Sequence, residues 1–209
     1  MKFAPSILLS FLVVPIFGII RIPGSTSCPK EANGNCEPGW KNFTRPSGEW
    51  CMKVFYESFI TYEDANKKCE ECGGKLSGFQ NQHEMLYVTY TVVDHIFPES
   101  GVVWVGIHRT EQCLNETRTA KCNGFTSFEW TDGSAKGTEG FHWAAGQPNN
   151  MDRSKNRQPC AQLMASPERS IGGYQTGMMD DVACVYDWRK EGYQSRTPKA
   201  YVCGKKPTV

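Results

Sequence analysis

The chain has 209 residues, 39% hydrophobic and 12% aromatic, which is enough apolar material for one core and the length of one domain rather than two. Its 23 basic and 22 acidic residues give a net charge of +1. No long run of one sign stands out, so there is no footprint for nucleic acid or for an acidic membrane surface.

In chain order, Met1-Lys2 is a short positive start, residues 3–20 are almost free of polar groups, and residues 21–27 are small and polar. That order predicts a secretory signal peptide over about residues 1–25, cleaved between Gly18 and Ser27. A membrane anchor is the rival, since the apolar run is near spanning length. Two prolines and the single Lys2 flank argue against it, and the mature protein is expected to be secreted with no membrane span. "WCMKVFYESF" (50–59) reads as a strand. "TYEDANKKCEECGG" (61–74) reads as a helix, with Thr61 as N-cap, acids in the first turn and Gly73 or Gly74 at its end. "NQHEMLYVTYTVVDHIF" (81–97) is a second helix: Asn81 and Glu84 have capping-box spacing, and Met85, Val88, Val92 and Ile96 form one apolar face. "VVWVGIHR" (102–109) reads as one buried strand, and "FTSFEWTDGS" (125–134) as a strand ending in an Asp-Gly turn. From 135 to 181 there is little periodicity and much Gly, Asn, Pro and Ser, a very long irregular region of the sort that is usually functional or disordered. "YVCGKK" (201–206) closes the chain as a short strand. The class is α+β, with helices and strands segregated.

Ten cysteines in an exported chain read as disulfides rather than metal thiolates, including Cys69 and Cys72 in their C-x-x-C spacing. Two sequons, at Asn42 and Asn115, are candidate N-glycosylation sites. His83, His95, His108 and His142 show no zinc-protease spacing, and no nucleophile elbow is present, so the chain does not read as an enzyme.

Several segments taken in order resemble the C-type lectin domain: "GW" at 39–40 between Cys36 and Cys51, "YEDANKKC" (62–69), Gly74 and Leu76, "WVGI" (104–107), "FEWTDGS" (128–134), "FHWAAGQPNN" (141–150), "PC" at 159–160, "MDDVAC" (179–184) and "YVC" (201–203). Each is weak alone; the ordered set is specific. It covers about residues 36–204, and the layout looks most like small secreted invertebrate members, nematode ones in particular. The resemblance implies a C-type lectin fold with two helices, antiparallel sheets and a long ligand loop closed by a disulfide. It implies the bridges Cys69–Cys203, Cys160–Cys184 and Cys36–Cys51. A local Cys113–Cys122 bridge is the simplest reading of that pair, and Cys28 and Cys72 are left over with their pairing open.

The resemblance further implies that the loop holding "GQPNN" binds a calcium ion, which in turn binds sugar hydroxyls. Carried over residue by residue, the calcium ligands would be Gln147, Asn149, Gln158, Asp180 and Asp181, with Pro148 in a cis peptide. Gln147, Asn149, Asp180 and Asp181 would also meet the glycan. The motif departs from the family. Gln-Pro-Asn pairs two amides where relatives pair an amide with an acid, Gln158 stands where a Glu is usual, and Met179 stands where a Trp is usual. Only two carboxylates remain, so calcium binding is expected to be weak. Asp152 lies in the same loop and could substitute. Trp104, Phe128, Trp130 and Trp143 read as core, whereas Trp188 and Tyr193 could be exposed. The implied function is a secreted calcium-dependent lectin, in the family's usual context of innate immunity. The alternative is a domain of this fold that binds a protein or lipid partner without calcium.

Overall fold

A computed structural model of the protein describes residues 28, 36–151, 156–168, 170–171, 174–185 and 196–208. The expected signal peptide, Asp152, Trp188 and Tyr193 lie outside the described residues. Strands β1 (Lys41–Arg45) and β2 (Gly48–Tyr56) form a hairpin, followed by α1 (Tyr62–Glu71), the short β3 (Lys75–Leu76) and α2 (Gln82–Ile96). Then come β4 (Gly101–Trp104), β5 (Ile107–Arg109), a 3-10 turn at Glu111–Cys113 and β6 (Phe128–Trp130). The series ends with β7 (Cys160–Ala165), β8 (Ser170–Ile171), β9 (Tyr174–Gln175), β10 (Met179–Val182) and β11 (Pro198–Lys205).

The main sheet runs β1-β2-β11-β4-β7-β10, with β3 added on β11. The first and last long strands therefore pair with each other, closing the chain into a loop. All these pairings are antiparallel except β11 with β4. Side chains alternate across the sheet, as period-2 geometry requires. Trp50, Met52, Val103, Ala200 and Val202 join the cluster that includes Met85, Val88 and Val92 of α2. Cys51, Trp104, Tyr201 and Cys203 join the cluster that includes Ala65 and Cys69 of α1. The sheet is thus sandwiched, one helix on each face.

Both helices start where their caps predict. Thr61 Oγ1 accepts from Asp64 N at 3.1 Å and Asn81 Oδ1 from Glu84 N at 3.1 Å. Gly73, at φ +72, follows the end of α1. The expected capping box at α2 is only half made. The Glu84 carboxylate turns to Arg45 and to Gln80 N instead.

Three strand expectations need correction. The 102–109 run is two strands rather than one. Gly106 donates its N–H to Ser77 O at 2.8 Å, and a Cβ there would lie 1.9 Å from Leu76 O, so the chain crosses close over β3 and leaves the sheet. The 125–134 strand shrinks to Phe128–Trp130, paired with β5 in a separate two-stranded sheet. Its tail is a side-chain turn: Asp132 Oδ1 accepts from Ser134 N and Ala135 N, both at 2.8 Å. The irregular 135–181 region contains β7 and β10, two strands of the main sheet. All six residues of β7 are buried, so no polar alternation marks it.

Five disulfides join Cys28–Cys72, Cys36–Cys51, Cys69–Cys203, Cys113–Cys122 and Cys160–Cys184. The last ties the start of β7 to the chain just past β10. Trp104 and Phe128 are buried, and Trp130 and Trp143 pack half-buried against the core. Asn42 and Asn115 are both exposed.

Candidate functional site

Two layers hold the 146–150 loop. Beneath it, residues 142–144 zip onto β10: Met179 N donates to His142 O at 2.7 Å and Ala144 N to Met179 O at 2.9 Å. Met179 is fully buried in this contact, as a packing residue. Trp143 Nε1 donates to Gly124 O at 2.7 Å, which draws the 123–126 segment alongside. Above, the Gln147–Pro148 peptide is cis.

The loop itself is closed from below by Asp181. Its two carboxylate oxygens accept from Asn149 N at 3.0 Å and Asn150 N at 2.7 Å. Asn150 is the hub of the loop. It is fully buried at φ +59, a left-handed conformation that Asn tolerates better than other residues with a side chain. Its Nδ2 donates to Leu114 O at 2.9 Å and Glu116 O at 2.8 Å, and its Oδ1 accepts from Gln158 N at 2.9 Å. The Cys113–Cys122 excursion, the proline loop and the approach to β7 therefore meet on one side chain. Sequence reasoning missed Asn150; the doubled Asn after the proline was the available signal.

The five predicted residues fall into two contact groups. Asp181, Asn149 and Gln158 belong to the first, built around a residue that the sequence did not suggest, Arg109 at the end of β5. The Arg109 guanidinium is buried, with Nη2 2.5 Å from Asp181 Oδ2, Nε 3.1 Å from Gln158 O, and its carbon 4.5 Å from the Phe128 ring centre. Gln147 and Asp180 belong to the second. Gln147 Nε2 donates to the Tyr174 hydroxyl at 3.3 Å, the Asp180 carboxylate pairs with Arg196, and Arg196 lies over the Tyr174 ring at 4.5 Å. Adjacent strand residues point to opposite faces of a sheet, which is why Asp180 and Asp181 acquire different arginines.

Burial dominates the acidities. It pushes Asp180 up to about 6, with Arg196 pulling the other way and Asp181 adding to the rise. It also raises Asp181, opposed by Arg109 and by the Asn149 and Asn150 amides. The Arg109 guanidinium is lowered by burial and supported by Asp181.

Calcium takes six to eight oxygens at 2.3–2.6 Å, with carboxylates prominent. Asp181 has spent both oxygens on two amides and a guanidinium. Asn149 Oδ1 accepts from Met151 N at 2.9 Å. Among the described residues, the buried acceptors left without a partner at this loop are Gln147 Oε1, Gln158 Oε1 and Asp180 Oδ1. Those three carry less than one full charge between them, and the donor set falls short of a calcium shell. Among the described residues, the His/Cys/Asp/Glu group close enough to share an ion is His108, Cys160 and Cys184, and the two cysteine sulfurs are tied up in a disulfide.

Around the loop, the large apolar side chains exposed among the described residues are Leu114, Phe125 and Met151. Leu114 offers its carbonyl to Asn150, Met151 follows Asn150 directly, and Phe125 follows Gly124, which abuts Trp143 and Pro148. Among the described residues, no helix is long and apolar enough to cross a membrane.

The chain is 24% identical over 140 residues to mouse layilin, covering 64% of this chain and 34% of layilin. It is 31% identical over 100 residues to the snaclec bitiscetin subunit alpha of Bitis arietans, covering 48% of this chain and 65% of that subunit. It thus spans about a third of layilin and just under two thirds of the snaclec subunit. Among solved structures, the C-type lectin domain of murine dendritic cell inhibitory receptor 2 in complex with N-glycan superposes with a TM-score of 0.52 at 17% identity, covering 82% of this chain and 99% of that one. The model of the family "C-type lectin domain-containing protein 141/158" matches residues 37–206, nearly all of the described fold, and the chain belongs to that family.

Proposed function

We propose that the protein is an exported, disulfide-stapled binding domain that recognises a protein or lipid partner through the 146–151 end of the molecule without needing calcium. The observation that carries this reading is the pairing of both motif carboxylates with arginines of the same chain, Asp181 with Arg109 and Asp180 with Arg196. A loop already closed by internal ion pairs has its shape without a metal. Leu114, Phe125 and Met151 supply exposed apolar contact area beside it, the kind of surface that marks an interaction site. Ten cysteines in five bridges support export. No catalytic constellation is needed for this role.

The second reading is calcium-dependent glycan binding at the same loop. The unpartnered oxygens of Gln147, Gln158 and Asp180 favour it, since buried acceptors normally find a donor or a cation. Binding to a glycan array and to lipid vesicles, each run in calcium and in chelator, separates the two. Chelator-insensitive binding that is lost in Phe125→Ser/Met151→Ser supports the first reading. Glycan binding that disappears with chelator and survives that double substitution replaces it with the second.

A further inference from the structure

We propose that Arg109 is a positioning residue whose guanidinium acts as a built-in cation, doing for the proline loop what a bound metal would otherwise do. The inference rests on the calcium-independent reading above and names the device behind it. Arg109 ties together segments far apart in sequence. From β5 it reaches Asp181 on β10 through Nη2 and the carbonyl of Gln158 through Nε. Its own backbone N–H donates to Pro159 O at 2.8 Å. The Asp181 carboxylate it holds is the group that receives the Asn149 and Asn150 amides. One cation thus fixes one carboxylate, and that carboxylate fixes two consecutive amides of the loop.

The chemistry suits the task. A guanidinium presents several donors in a fixed plane and stays charged at every physiological pH, so it can bridge a carboxylate and a carbonyl together. The face of Phe128, 4.5 Å away, covers it on one side and keeps water out. Because the cation is part of the chain, the loop is organised at any calcium concentration. Removing it would leave Asp181 Oδ2 with the Asn150 amide as its one partner, so that a bound cation could take the guanidinium's place there, with the Oε1 of Gln158 also unpartnered. The inference therefore predicts a gain of calcium responsiveness, an effect that loss of a merely structural arginine would not produce.

Hydrogen exchange at the Asn149 and Asn150 amides, measured in chelator and in calcium, tests it. In the unsubstituted protein the protection should be the same in both. In Arg109→Gln it should fall in chelator by about tenfold or more, the size expected for a lost charge-assisted hydrogen bond, and recover when calcium is added. Adding Asp181→Asn to that variant should abolish the recovery. If Arg109→Gln does not fold, Arg109→Met carries the test: its unbranched apolar stem can still pack on Phe128 but brings no charge, so protection should drop in chelator and calcium should raise it. The proposal is overturned if protection in the variant that folds is unchanged in chelator, or is lost and does not return with calcium. Calcium-dependent protection in the unsubstituted protein would instead overturn the functional reading on which the proposal stands.

Discussion

Arg45 lies at the end of β1 with its side chain wholly buried, and replacing it with Ala should be among the most damaging single changes in the protein. The guanidinium donates to Glu84 Oε1 at 2.9 Å and Oε2 at 2.7 Å, to Asp132 Oδ2 at 3.0 Å and to Gly78 O at 2.9 Å, and it lies 4.9 Å from the Trp50 ring centre. Glu84 and Asp132 are 1% and 6% exposed, so neither could recover hydration once the cation was gone. Asp132 keeps its amide partners Gly78, Ser134 and Ala135, and Glu84 keeps Gln80 N, but two buried carboxylates would be left without a counter-charge. Breaking a buried pair in this way costs about 3–5 kcal/mol. For a domain of this size that corresponds to a melting temperature lower by roughly 6–20 °C. Urea unfolding with the disulfides intact measures the loss. Adding Glu84→Gln and Asp132→Asn to Arg45→Met should recover most of it, because the penalty lies in the unpaired charges rather than in the missing bridge. A loss below about 1 kcal/mol in Arg45→Ala, the level of an exposed pair, would refute the reasoning.

Three further outcomes are expected. Gly106→Ala places a methyl 1.9 Å from Leu76 O, a backbone atom that cannot swing aside, and should cost about 3 kcal/mol or prevent folding, read from soluble yield and urea midpoint. Replacing Cys160 and Cys184 together with Ala reopens a closure spanning 24 residues and should cost about 3 kcal/mol, again by urea unfolding. Asp180 gives a pH signature. Its folded carboxyl is raised from 3.8 to about 6, so between those values the native state holds a proton that the unfolded chain releases. Stability should therefore fall as pH rises through that window, by up to about 3 kcal/mol from this group. Asp180→Asn should flatten that part of the urea-midpoint profile between pH 4 and pH 7; an unchanged slope would assign the effect elsewhere.

Much of the frame could be read from the residues alone. Both helices were legible because their caps and apolar steps are local: Thr61 and Asn81 satisfy amides three residues on, and Met85, Val88 and Val92 share one face. The place of the proline loop was legible too, since Gln147, Pro148 and Asn149 follow one another. The strands β7 and β10 were not. A central strand buried on both faces shows no alternation, and β10 carries two acids whose burial makes sense only with arginines brought in from elsewhere. The role of Arg109 was hidden for the same reason. It stands 72 residues from Asp181, and nothing in the spacing of "WVGIHR" announces the partner. Electrostatic pairing across a fold is a tertiary property, so the two carboxylates of the set looked free in sequence and prove to be matched by arginines in space.

The most direct measurement is calorimetric titration of calcium into the unsubstituted protein, paired with melting curves in calcium and in chelator. The pairing of Asp181 with Arg109 and of Asp180 with Arg196 predicts no saturable heat and one melting temperature in both conditions. A saturable heat with a melting temperature that climbs with calcium concentration would contradict it, because a ligand stabilises only the state that binds it.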